Sequence, residues 1–146
     1  MKTQFFSVKD PRDPALQTVG AILRNGGLAA IPTETVYGLA ANALCDDAVR
    51  GIFRAKGRPA DNPLIVHISD LSQWDALVTE VPDAAKRLAA AYWPGPLTII
   101  LPKSGRVSDV VSGGLPTVAV RMPSHPIART VIDAAGVPLA APSPSP

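Results

Sequence analysis

The residues best suited to chemistry lie in one short cationic stretch near the middle of the chain. Arg50, Arg54, Lys56 and Arg58 fall within nine residues, and no acidic residue lies among them. A guanidinium presents a planar fork of donors that matches phosphate or carboxylate, and an ammonium acts as a mobile point charge. The stretch therefore predicts a binding site for an anion. The alternative is a solvated basic helix end that binds nothing.

A helix and a loop must position these cations. Residues 46–57 read as a helix, with Arg50 and Arg54 one turn apart and Gly57 as a left-handed terminal residue. Pro59 and Pro63 then deny the backbone a helix, so residues 58–63 are predicted to form an ordered loop that leads into a strand over residues 64–68. This arrangement would hold a guanidinium and an ammonium near one point.

A second candidate site element follows an apolar run at residues 28–32, which is predicted to be a strand covered on both faces. Residues 33–39 supply two threonine hydroxyls, the Glu34 carboxylate and the Tyr37 phenol. Open α/β sheets bind ligands at the carboxyl ends of their strands, so these residues are predicted to form a ligand-binding loop. The alternative is an ordinary loop with a hydrogen-bonded Glu34 and a packed Tyr37.

The rest of the chain alternates helices and strands, which predicts an α/β fold. Helices are predicted from residue 14 to 24 and at residues 70–77, 82–93 and 125–135, and strands at residues 4–8, 97–101, 110–111, 117–121 and 137–141. Strand alternation at residues 117–121 puts Thr117, Ala119 and Arg121 on one face. His67 lies near the end of the strand at residues 64–68; as a lone histidine it is either a site residue or a hydrogen-bonded structural one.

Length and composition describe an ordinary globular domain. The chain has 146 residues, 47% of them hydrophobic and 18% charged, with a formal net charge of +2. This balance favours a local anion site over the broad basic face of a dedicated nucleic-acid binder. No apolar run is long enough to span a membrane, and the single Cys45 fits a reducing compartment, so we expect a cytoplasmic protein with no membrane partner.

Common nucleotide and metal motifs are absent from the sequence. The patterns GxxxxGK[ST], GxGxxG, CxxC, HExxH and the EF-hand loop do not occur. No metal-ligating residue is therefore predicted. If the protein binds a nucleotide, it does so by another route.

Five motifs, taken together, resemble the YrdC-like family of threonylcarbamoyl-AMP synthases. They are IPTETVYGL at residues 31–39, KGRP at residues 56–59, NPL at residues 62–64, YWPGPLT at residues 92–98 and VRMP at residues 120–123. They occur in the family's order and cover nearly the whole chain. The resemblance implies a YrdC-like α/β fold, similar to that of DHBP synthase, in which a twisted mixed sheet with flanking helices surrounds an open, positively lined central cavity. It also implies one domain over residues 1–146 that lacks the C-terminal part of the family domain.

The same resemblance implies an enzymatic activity. A member of this family is a nucleotidyltransferase that makes L-threonylcarbamoyladenylate from L-threonine, bicarbonate and ATP, with Mg²⁺ accompanying the ATP and pyrophosphate released. The product serves N6-threonylcarbamoylation of adenosine 37 in tRNA. Implied partners are the downstream threonylcarbamoyl transferase machinery and tRNA or double-stranded RNA.

Matching the motifs position by position assigns roles to individual residues. Lys56 and Arg58 are implied to be catalytic; Arg58, Asn62, Thr117 and Ser143 to contact ATP; and Thr35, His67, Arg121 and Ala141 to contact threonine. The chain departs from the family at its final Ser-x-Asn motif, where Ser145 occupies the asparagine position. A serine hydroxyl offers less hydrogen-bonding capacity than the carbonyl and NH₂ groups of an amide.

Two other functions are compatible with the same residues. The first is a non-catalytic module that binds RNA phosphates in the cationic cavity, in which case binding should weaken steeply with salt. The second is a carbamoyl-transfer domain of a larger maturation protein.

Overall fold

The computed structural model describes residues 8–32, 37–57 and 62–143. Its helices are α1 (Ala15–Arg24), α2 (Asp46–Lys56), α3 (Leu71–Leu77), α4 (Asp83–Tyr92), α5 (Asp109–Ser112) and α6 (Pro126–Ala135). Its strands are β1 (Ala29–Pro32), β2 (Tyr37–Asn42), β3 (Ile65–His67), β4 (Ile99–Pro102), β5 (Thr117–Arg121) and β6 (Leu139–Ala141). Most of the predicted strand at residues 4–8 and most of the predicted loop at residues 58–63 lie outside the described residues. No helix within the described ranges is long and apolar enough to cross a membrane.

The strands form one six-stranded sheet in the order β1-β2-β6-β3-β5-β4. β3 and β5 are parallel, whereas the other neighbouring pairs are antiparallel. The prediction of an α/β fold with a mixed sheet and flanking helices is therefore confirmed.

One face of the sheet carries the larger part of the core. Val66, Val118, Val120, Ile99 and Ala140 point to this face because successive strand residues alternate between faces, and they are buried in one cluster. The cluster also contains residues of α2, α3, α4 and α5. Burial of this apolar surface is the main term that stabilises the sheet against these four helices.

The opposite face is covered by α1 and α6 only over β1, β2 and β6. Residues from these two helices and three strands form a second buried cluster. The helices cross closely at Gly20, where an added Cβ would lie 2.5 Å from Ala134 Cβ. Glycine is required here because any side chain would push the helices apart.

The remaining part of that face, over β4 and the first residues of β3 and β5, is only partly covered. Ile65, Thr117 and Ala119 are only partly buried, and Ile100 is 63% exposed. These four residues, which we call the open half-face, share one side of the sheet because Ile65 pairs with Ala119 and Ala119 with Ile100. In the described part of the chain, neither buried cluster extends over them.

Three predictions about individual elements were wrong. β1 is an edge strand with alternating burial, and Ala30 is exposed, so it is not covered on both faces. The predicted ligand loop at residues 33–39 ends early, because Tyr37 begins β2 and pairs with Pro32. Residues 110–111 lie in the short helix α5 and not in a strand, since Val111 and Ser112 donate helical hydrogen bonds to Ser108 O.

Candidate functional site

The end of α2 presents Lys56 as predicted. Asp46 and Asp47 occupy the first turn of α2, and Arg54 and Lys56 occupy the last. These charges interact favourably with the helix dipole at both ends. Gly57 closes the helix in the left-handed region, with φ 64°, and its N–H donates to Arg54 O at 3.2 Å. The Lys56 side chain is thereby left exposed at the point where the helix stops.

A cavity of about 220 Å³ adjoins this helix end. Its polar lining comes from Lys56, Asn62 and Ser143, and its apolar lining from Ile52, Phe53, Pro63, Leu64 and Pro142. Three residues predicted from separate motifs thus border one space. An ammonium, an amide and a hydroxyl above an apolar floor can hold a ligand that has both anionic and apolar parts.

Of the three described cations in the predicted cluster, Lys56 alone lines the cavity. Arg50 forms a salt bridge with Asp47 at 3.1 Å, one helical turn away. Arg50 and Arg54 do not line the cavity, whereas Lys56 does. Arg58 lies outside the described residues, so its role stays a prediction, as does that of Thr35.

Strand register brings Thr117 to the same end of the sheet as Asn62 and Ser143. Ile65 is paired with Ala119 on one side and with Ala141 on the other. Thr117 lies two residues before Ala119, and Ser143 two residues after Ala141, so both flank the segment that leads into β3. The described residues that the resemblance assigned to ATP therefore meet where β3 begins.

His67 and Arg121 lie side by side at the other end of β3. They are register partners on neighbouring parallel strands, and they lie on the same side of the sheet as the open half-face. Their exposed fractions are only 3% and 7%. A buried guanidinium needs hydrogen-bonded or charged partners, in contrast to the exposed ammonium of Lys56.

Both side chains contact backbone carbonyls. His67 Nδ1 lies 3.2 Å from Ile65 O. A carbonyl can only accept, so Nδ1 is the nitrogen that carries hydrogen in this contact. Arg121 Nε donates to Gly95 O at 2.9 Å. The His67 ring thus contacts its own strand, and the Arg121 guanidinium contacts the turn at residues 93–96.

The turn at residues 93–96 is the part of the site that the sequence argument missed. The Trp93-Pro94 peptide bond is cis, and Gly95 N donates to Met122 O at 2.8 Å. The Trp-Pro-Gly-Pro motif was visible in the sequence, but its contact with Arg121 joins residues that are 26 positions apart.

Ala141 lies on β6, two residues along the strand from the partner of His67. It lies on the same face as His67 but pairs with Ile65, whereas the partner of His67 on β6 is Leu139. Ala141 is 2% exposed and belongs to the cluster formed with α1 and α6. Its role as a threonine contact stays a prediction.

The two groups of side chains lie at opposite ends of one strand. From Pro63 to His67 the chain spans roughly 13 Å, at about 3.3 Å per strand residue. Lys56, Asn62 and Ser143 lie towards one end, and Arg121 lies at the other. The arrangement suits two anionic ligand groups that react with each other between the two ends.

A protein-family model described as "Telomere recombination", covering Sua5, YciO and YrdC, matches residues 21–146. The chain belongs to this Sua5/YciO/YrdC family. The family resemblance inferred from the five motifs is therefore confirmed.

Curated relatives include enzymes named threonylcarbamoyl-AMP synthase. The Pyrococcus abyssi enzyme is 56% identical over 128 residues, which cover 88% of this chain and 38% of the relative. The Bacillus subtilis enzyme is 52% identical over 149 residues, which cover 98% of this chain and 43% of the relative. The chain thus spans about two fifths of the length of these relatives.

Solved structures of Sua5/YciO/YrdC proteins have the same fold. The crystal structure of P. abyssi Sua5 complexed with L-threonine matches with a TM-score of 0.85 and 55% identity, over 88% of this chain and 38% of that one. The structure of Escherichia coli YciO matches with a TM-score of 0.81 and 27% identity, over 97% of this chain and 70% of that one.

Proposed function

We propose that this protein makes L-threonylcarbamoyladenylate from L-threonine, bicarbonate and ATP and releases pyrophosphate. One observation carries the proposal: the buried Arg121 and His67 and the cavity bordered by Lys56, Asn62 and Ser143 lie at the two ends of β3. The chain is also 56% identical to a protein named threonylcarbamoyl-AMP synthase, and a related Sua5 binds L-threonine in its crystal structure.

Arg121 is proposed to bind the threonine carboxylate. Its buried guanidinium can form a charge-assisted hydrogen bond, which is stronger where water is excluded. His67 stands next to it on the same face and can satisfy a second polar group of the amino acid. A buried hydrogen-bonding site of this kind favours a polar substrate over an apolar isostere, because mismatched groups would remain unpaired.

Lys56 is proposed to stabilise charge on the phosphates of ATP, with Asn62, Thr117 and Ser143 as further contacts. The threonine amine first combines with bicarbonate to give a carbamate and water. A carbamate oxygen then attacks the α-phosphorus, and pyrophosphate leaves as the new P–O bond forms. Such phosphoryl chemistry depends mainly on positioning and on compensation of charge, which an exposed ammonium at the cavity can supply.

Magnesium is proposed to arrive with the nucleotide. Within residues 8–32, 37–57 and 62–143, no group of three or more His, Cys, Asp or Glu side chains could hold a metal ion. The phosphate oxygens of ATP are hard ligands that suit Mg²⁺ and leave it mostly hydrated. The ion would compensate phosphate charge beside Lys56.

The burial of the proposed threonine site favours the enzyme over an RNA-binding module. RNA phosphates need exposed cations such as Lys56, whereas Arg121, at 7% exposed, suits a small substrate that enters the protein. We further propose that the product passes to a threonylcarbamoyl transferase that modifies tRNA, with the reaction in the cytoplasm beside its tRNA.

The decisive experiment measures pyrophosphate release from ATP with threonine and bicarbonate each present or omitted. We expect release to require both. Arg121→Met should raise the threonine KM by about 100-fold, because a hydrogen bond to a charged group is lost, and should leave the ATP KM within about twofold.

The matched control is Arg87→Met, which removes an exposed cation from α4. It should change neither KM. Pyrophosphate release that is indifferent to threonine, or an Arg121→Met variant with a normal threonine KM, would contradict the proposal. Binding of tRNA that falls steeply with salt, without threonine-dependent turnover, would support the RNA-binding module instead.

A further inference from the structure

We propose that the turn at residues 93–96 is a positioning element for Arg121 and that Gly95 is its central positioning residue. In this view the turn sets the plane of the guanidinium for the carboxylate of an α-amino-acid substrate. The inference rests on the proposed function, in which Arg121 binds that carboxylate. It assigns a role to a motif that does not itself touch the substrate.

The first supporting contact is the hydrogen bond from Arg121 Nε to Gly95 O, at 2.9 Å and buried. The three guanidinium nitrogens are coplanar, so the direction of the Nε hydrogen bond, together with that of the Cδ–Nε bond, defines the plane of the whole group. A carboxylate is bound best by two parallel N–H groups in its own plane. The position of one backbone carbonyl therefore controls how well Arg121 matches a carboxylate.

The second contact runs in the opposite direction. Gly95 N donates to Met122 O at 2.8 Å, while Gly95 O accepts from the neighbouring Arg121. The turn and the end of β5 are joined at two points, so residue 95 cannot rotate without disturbing the strand that carries Arg121. This reciprocal pairing distinguishes the contact from an incidental side-chain bond.

The turn is itself anchored in the core. Trp93 Nε1 donates to Leu97 O at 2.7 Å across the turn. The Trp93 ring packs against Trp74, with centroids 4.5 Å apart and an angle of 58° between the rings. The Gly95 carbonyl is thus connected to the packed interior and not to a free loop.

Glycine is required at position 95 for a steric reason. A Cβ added there would lie 2.5 Å from Tyr92 O, a backbone atom that cannot move away by side-chain rotation. Gly95 is also buried, so the strain cannot be relieved towards solvent. Any side chain at this position must shift the turn and with it the carbonyl that holds Arg121.

The test is Gly95→Ala, measured by threonine titration calorimetry and by initial rates. We expect the threonine Kd and KM to rise about tenfold, the cost of weakening one charge-assisted hydrogen bond, with the ATP KM within about twofold. The matched control is Gly105→Ala: an added Cβ there has no atom within 4 Å, so neither constant should change.

A thermodynamic cycle shows whether Gly95 acts through Arg121. Lysine keeps the positive charge but lacks the planar fork of a guanidinium. Its ammonium therefore cannot donate to Gly95 O and at the same time present two parallel N–H groups to a carboxylate. In an Arg121→Lys background, Gly95→Ala should therefore change the threonine KM by no more than about twofold. If the two substitutions raised the threonine KM by independent factors that multiply, the positioning role would be wrong. An equal rise in the ATP KM would also overturn it.

A second variant keeps the test decisive if Gly95→Ala does not fold. Trp93→Phe removes the hydrogen bond to Leu97 O but retains a ring against Trp74, and it should raise the threonine KM about threefold. An unchanged threonine KM in either folded variant would refute the inference while leaving the proposed function intact. Failure of the wild-type chain to bind threonine would instead refute the proposed function.

Discussion

At Lys56, a substitution should affect catalysis strongly and the stability of the fold very little. Lys56 is exposed at the end of α2 and lines the cavity, without an ion pair among the contacts of the described residues. We expect Lys56→Ala to lower kcat by about 100-fold, because a cation that stabilises developing charge is lost. The free energy of unfolding should change by less than about 0.5 kcal/mol, as for most exposed positions.

The matched control for this residue is Lys86→Ala, which removes an exposed ammonium from α4. It should leave both kcat and the unfolding transition unchanged. Urea denaturation alongside the rate assay separates the two effects. A large loss of stability in Lys56→Ala would mean that this lysine is a structural residue.

At the scale of elements, α3 offers a cap whose strength depends on pH. Asp70 accepts from Ser72 N at 2.7 Å, and Gln73 completes a capping box. The hydrogen bonds from Ser72 lower the pKa of Asp70 below its ordinary value of 3.8. A lowered pKa stabilises the folded state above the ordinary pKa, and this contribution is lost as pH falls through the lowered folded value.

The prediction compares wild type with Asp70→Asn, whose amide oxygen still caps the helix but does not titrate. The wild-type thermal midpoint should exceed that of the variant at neutral pH, and the difference should vanish as pH falls well below the ordinary aspartate pKa. Asp75→Asn, within the same helix, serves as the control. A difference between wild type and Asp70→Asn that stays constant across the pH range would contradict the assignment.

At the scale of the whole molecule, the two sides of the sheet are covered unequally over β4. Ile99 and Ile100 are neighbours on β4 that point to opposite sides, and their exposed fractions are 7% and 63%. Ile99→Ala should lower the free energy of unfolding by about 3 kcal/mol, because it opens a cavity in the core. Ile100→Ala should lower it by no more than about 0.5 kcal/mol.

Because both substitutions remove the same atoms from adjacent residues, each controls for the other. Urea denaturation with equal m-values would attribute the difference to burial alone. Similar losses of unfolding free energy in the two variants would mean that the open half-face is covered in the folded protein.

Local spacing accounts for what was predicted correctly. The helices α1, α2 and α6 follow from apolar periodicity and from terminal glycine, and alternation placed Thr117 and Arg121 on one face of β5. The motifs also identified the family correctly. These features depend on residues close together in the chain, where backbone geometry alone fixes which side chains share a face. The domain boundaries and the roles of Thr35 and Arg58 stay predictions.

The tertiary structure decided which side chains meet. His67 and Arg121 are neighbours only because β3 and β5 pair, and strand order depends on hydrogen bonds between segments far apart in the chain. Pairing with Pro32 decided that Tyr37 begins a strand, and backbone hydrogen bonds to Ser108 O decided that residues 109–112 form α5. The contact between Gly95 and Arg121 spans 26 residues, and no local periodicity encodes such a contact.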